Sequence, residues 1–127
     1  MGTEELTTIT AKKKILLARA GKQPLPQITQ MVFGNGGVNA EGKILKLKEG
    51  QESLNSEIYR KDLDKYEIVS DTKITYYCTL LENELAGEEI SELALADSDG
   101  DLVAIKNFAA KGKDSDWKMT FKISDVF

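Results

Sequence analysis

The chain has 127 residues, 41% hydrophobic and 30% charged, with a formal net charge of −4 and no histidine. Its length suits one domain with a core of its own, residues 1–127, and its acidity argues against a nucleic-acid surface. Lacking histidine, it is excluded from Ser-His-Asp and Cys-His catalysis, histidine metal sites and a histidine pH switch, and the lone Cys78 excludes an internal disulfide.

The first ten residues, MGTEELTTIT, lack the basic start and apolar stretch of a signal peptide. No run approaches the ~20 apolar residues of a membrane span, so no membrane partner is expected. Residues 10–21, TAKKKILLARAG, predict a helix capped by Thr10 and left through Gly21. Ala11, Ile15 and Ala18 make its apolar stripe, and Lys12 to Lys14 read as a solvated face. The prolines at 24 and 26 then impose an extended connector.

Residues 28–33 predict a strand closed by Gly34-Asn35-Gly36-Gly37. A phosphate cradle needs a helix start directly after such glycines, and VNAEG follows instead, so the segment reads as a turn. Residues 43–50 read as loop. Residues 55–63 and 65–70 predict a pair of strands turning near Asp64, and 72–81 a third, with Ile74, Tyr76, Cys78 and Leu80 on its dry face. Among these core residues Cys78 reads as a buried, inert thiol.

Residues 90–108 predict the central hairpin of a sheet. Leu93 and Leu95 share one face of its first strand, and Val103 and Ile105 one face of its second. Asp97, Ser98, Asp99, Gly100 and Asp101 supply the turn. The Asp97-x-Asp99-x-Asp101 spacing suggests calcium, but the sixth and twelfth positions of an EF-hand loop would fall on Leu102 and Phe108, so no metal is expected. A last strand, 117–123, alternates cleanly, with Trp117, Met119, Phe121 and Ile123 on the dry face. Glu57 and Arg60, three apart in a strand, are expected on opposite faces and not to pair with each other. The fold class that follows is α+β, a mostly antiparallel β-sheet with one N-terminal helix packed against it.

Taken in order, three segments carry a resemblance. They are ITQMVFGNGG at 28–37, NSEIYR at 55–60 and EISELALADSDGDLVA at 89–104. Together the chain resembles the N-terminal domain of phage tail-collar fibre proteins, the attachment domain of contractile-tail phages and phage-like particles. The family pattern falls on Gly34, Asn35 and Gly36, on Glu57, Tyr59 and Arg60, and on Glu92, Asp97, Asp99 and Gly100, which the resemblance marks as structural residues. Ser56 interrupts what is usually an Asn-Glu pair, and Ala94 stands where the family often has glycine. Family members usually continue into a long fibre, so a chain ending at Phe127 is expected to be a shortened relative or the attachment domain alone.

The resemblance implies a structural part of a tail or tail-like particle, made in the host bacterial cytoplasm, that anchors a fibre to the baseplate or tail tip. Its partners would be other tail or baseplate subunits and further copies of itself, a trimer if fibre-like, with no cofactor and no enzymatic activity. Two other readings compete. One is an assembly factor absent from the finished particle; the other is a stand-alone surface or carbohydrate-binding β-domain, which expects Tyr76 and Tyr77 or Trp117 to face solvent.

Overall fold

A computed structural model describes residues 3–127, and among them run eight strands and one helix. Strand β1 (Glu4–Thr7) leads into α1 (Ile9–Arg19), followed by β2 (Ile28–Gly34), β3 (Glu57–Asp62), β4 (Lys65–Ser70), β5 (Lys73–Leu80), β6 (Glu89–Asp97), β7 (Leu102–Gly112) and β8 (Met119–Val126). All pairings are antiparallel, and they form two sheets instead of one: β1-β7-β6-β2-β3 and β4-β5-β8.

The β6–β7 hairpin does sit at the middle of the larger sheet, as its turn chemistry predicts. Strand β6 is buried on both faces. Leu93 and Leu95 meet Cys78, Leu80, Phe121 and Ile123 of the smaller sheet, while Ala94 and Ala96 face Leu47 and Leu54 of the excursion between β2 and β3. Each large side chain withdrawn from water this way contributes roughly 1.5–3 kcal/mol. Phe33 and Phe121 bridge the sheets edge to face, with ring centroids 5.4 Å apart. The closing strand therefore covers the hairpin rather than joining its sheet.

Several expectations are corrected here. The helix starts two residues earlier: Thr8, not Thr10, is the cap, accepting from the Ala11 N–H at 3.1 Å and donating to the Leu102 carbonyl at 2.7 Å. The four-residue β1 was not foreseen. Strands β3 and β4 are not a hairpin, because the chain crosses between sheets after Asp62; β3 pairs with β2 and β4 with β5. A bulge leaves Val103 without an opposite residue, so Ile105 shares its face with Leu102 and not with Val103. Trp117 lies before β8 and is 61% exposed, whereas Met119, Phe121 and Ile123 keep the predicted alternation. On the outer face of the smaller sheet, hydroxyl pairs Thr75–Ser124 and Thr79–Thr120, each at 2.8 Å, tie β5 to β8.

Candidate functional site

The three recurring segments converge on one side chain, Glu92. It projects from β6 and is fully buried, and its carboxylate accepts three backbone N–H groups: Gly36 at 2.9 Å and Ser56 at 2.8 Å on Oε2, Asn55 at 2.9 Å on Oε1. The Asn55 amide donates to the Gly36 carbonyl at 2.8 Å, and the Asn35 N–H to the Ser56 carbonyl at 3.0 Å. Beside it, Ser91 Oγ accepts from the Gly37 N–H at 2.9 Å. The glycine loop does cradle an anion, but the anion is the chain's own carboxylate.

This close approach explains the glycines. A Cβ at Gly34 would stand 2.5 Å from Glu92 Oε2, and one at Gly37 only 2.0 Å from the Ser91 carbonyl oxygen. Next to them Asn107 donates to the Leu45 carbonyl at 3.0 Å, while its own Oδ1 is buried without a partner among the described residues.

The acidic turn is the second cluster. Asp97, Asp99 and Asp101 bring carboxylate oxygens within 4.8 Å of one another, the arrangement a divalent cation would take. Their centre is filled by the Lys14 ammonium, at 2.6, 3.1 and 2.8 Å from the three carboxylates. Lys14 is therefore not part of a solvated face: with Ala11 it makes the buried side of α1. Burial works against its charge, but the bonds to Asp101, Asp97 and Asp99 outweigh it and raise the lysine pKa. Asp97 also accepts the Asp99 and Asp101 N–H groups at 3.0 and 3.2 Å, and Gly100 takes φ of 89° to close the turn.

Arg60 grips the same turn from the far side, donating to the Gly100 carbonyl at 3.0 Å. It also forms a two-pronged pair with Glu57, at 2.7 and 3.2 Å, contrary to the expectation that the two face apart. The cause is a bulge: Gly34 faces Glu57 and Phe33 faces Tyr59, so Ile58 has no opposite residue and Glu57 is turned onto the face of Arg60.

Tyr59 packs on Phe33 and donates to Glu84, which also accepts the Lys61 ammonium at 2.6 Å and the Leu81 N–H at 2.7 Å. Burial alone would raise the Glu84 pKa; the Leu81 N–H, Lys61 and Tyr59 overcome it and bring it down to about 2 from an ordinary 4.5. A depressed carboxylate stabilises the fold above its unfolded value and ceases to as pH falls through its folded one. Thermal melting of Glu84→Gln should thus lag the parent by about 1–2 kcal/mol at neutral pH, with the gap closing between pH 4.5 and 2. A gap unchanged at pH 2 would refute the assignment. Cys78, buried in the core near Asp64, has its pKa pushed up to about 12 and stays a thiol.

All ten residues marked by the resemblance thus lie in three connected clusters, and each holds backbone or another side chain. Lys14, Lys61, Glu84, Ser91 and Asn107 are the members that sequence reasoning missed. For Lys14 a signal existed, since it stands three residues after Ala11 and four before Ala18, at the edge of the inward stripe. The family model for the phage tail-collar fibre protein, N-terminal, matches residues 2–122. The chain belongs to that family. Neither a curated protein nor a solved structure matches it. The tail-collar domain is a phage tail component by family, and its motif residues lie within the Glu92, Lys14 and Glu84 clusters just described.

Proposed function

We propose that this tail-collar domain is a non-enzymatic structural subunit that anchors a tail fibre to the baseplate or tail tip. It binds other tail or baseplate subunits and further copies of itself, as a trimer where it belongs to a fibre, and needs no cofactor. The family match over nearly the whole chain carries the reading. The use of the motif residues supports it, since Gly34, Gly36, Glu92, Arg60 and Asp97 are all occupied in fixing loops. Such a rigid loop cluster suits a docking piece whose surface must keep its shape.

Two measurements test the proposal. Mass spectrometry of purified particles should find the domain at a fixed ratio to other tail proteins, and the tagged domain should recover assembled tails from a lysate. Absence from finished particles would convert it to an assembly factor; failure of both would end the attachment role. The surface-binding alternative keeps one observation in its favour, the exposed indole of Trp117. A panel of host-surface glycans leaving the fluorescence of this single tryptophan unchanged would remove that support.

A further inference from the structure

Strand β4 is the outer strand of the smaller sheet, and all six of its residues are exposed. Tyr66 is 60% and Ile68 68% exposed although both lie on the face that, further along the sheet, forms the core. Tyr66 stands beside Tyr76 with ring centroids 6.2 Å apart, and Ile68 is opposite Ile74. Its outer edge has no neighbouring strand among the described residues, and such an edge presents a row of free N–H and C=O groups next to uncovered apolar side chains. It has no proline, and the irregularity between Ile68 and Ser70 limits its regular part to Lys65, Tyr66, Glu67 and Ile68.

We propose that β4 pairs antiparallel with β4 of a second copy, with the two-fold axis at Tyr66. Charge selects this register. Lys65 and Glu67 share the opposite face from Tyr66, held together by Tyr77, whose hydroxyl donates to Glu67 at 3.0 Å and whose ring lies 5.0 Å from the Lys65 ammonium. An axis at Lys65 sets lysine against lysine, and one at Glu67 sets glutamate against glutamate. An axis between residues puts Tyr66 and Ile68 beside the charged face of the other copy. Only the axis at Tyr66 places Lys65 opposite the second copy's Glu67, twice by symmetry, while Tyr66 meets Tyr66. The two smaller sheets become one continuous six-stranded sheet. This goes beyond the proposed function, since a two-fold pair is a contact separate from the three-fold arrangement of a fibre; it rests on the strand itself, so particle recovery and the test below fail independently.

The test is the mass of the purified domain by sedimentation or light scattering, from micromolar to near-millimolar loading. The parent should move from monomer toward dimer as concentration rises. Glu67→Lys, which puts lysine opposite lysine, should remain monomeric throughout. Lys65→Glu combined with Glu67→Lys restores the complementarity and should recover the parent's concentration dependence. Both variants are at exposed positions, and melting curves matching the parent would show that each is folded. A parent that is monomeric at every concentration overturns the proposal, as does an oligomer that Glu67→Lys leaves intact or a double variant that stays monomeric.

Discussion

Glu92→Ala should be the most damaging single change in the domain, lowering stability by about 3–5 kcal/mol in chemical denaturation. The carboxylate has no access to water, and three backbone N–H groups depend on it. Truncation leaves those donors buried and unpaired, at about 1–3 kcal/mol each, offset in part where the 35–56 excursion opens to admit water. Against a total of about 5–15 kcal/mol for a domain, that is enough to populate unfolded chains. Glu92→Gln sharpens the test. The amide keeps one oxygen but turns an NH2 group toward either the Asn55 N–H or the N–H pair of Gly36 and Ser56, donor against donor. It should therefore cost nearly as much as alanine despite its matching size. A glutamine variant as stable as the parent would show that shape rather than charge-assisted bonding holds the loop.

Lys14→Met should cost nearly as much, about 3–5 kcal/mol, for the opposite electrostatic reason. Methionine fills the space on α1 but removes the cation shared by Asp97, Asp99 and Asp101, and the Asp97 side chain is only 1% exposed. The remaining carboxylates then repel at short range, one of them out of water. Asp97→Asn in the Lys14→Met background should recover part of the loss, because an asparagine oxygen still accepts the Asp99 and Asp101 N–H groups. The non-additivity of the pair, read from a double-mutant cycle, measures the coupling across 83 positions of sequence. Strict additivity of the two losses would mean that the lysine acts through packing alone.

What the sequence disclosed and what it hid divide along a physical line. The β6–β7 turn was legible because the Asp97 carboxylate and the positive φ of Gly100 act on backbone within a few residues of themselves. The inward faces of β5 and β8 were legible because alternation is a local property, as Cys78, Leu80, Phe121 and Ile123 demonstrate. Pairing across the chain was not. Lysine 65 to serine 70 reads equally well as a partner for β3 or for β5, and only the crossing between sheets after Asp62 decides it. Bulges also leave no local trace. One unpaired residue, Ile58, was enough to bring Glu57 and Arg60 together, and another, Val103, moved Ile105 to the other face. Trp117 was misplaced because the alternation starts two residues later than its period suggests.

The candidate site was half visible for the same reason. Its glycines and acids stand out as residue types, whereas their partners do not. Nothing in the sequence around Gly36 says that its anion is Glu92, 56 positions away. Lys14 was hidden by its neighbours: in a run of three lysines, only the helix register separates the inward one from the two that stay exposed.

The two ends of the described chain are fastened very unequally. β1 is held to β7 through four register pairs, Glu4 with Asn107 to Thr7 with Ala104, and β8 to β5 through eight, Lys73 with Val126 to Leu80 with Met119. Tension applied between them is borne in series, so the shorter ladder is the weak link and yields first. A tug at Thr3 would strip a four-residue ribbon from the rim and leave the packed sheets in place, whereas a tug at Phe127 meets twice the number of rungs and the Phe121 and Ile123 anchors behind them. In a part that carries mechanical load, the C-terminal side is the one built to hold.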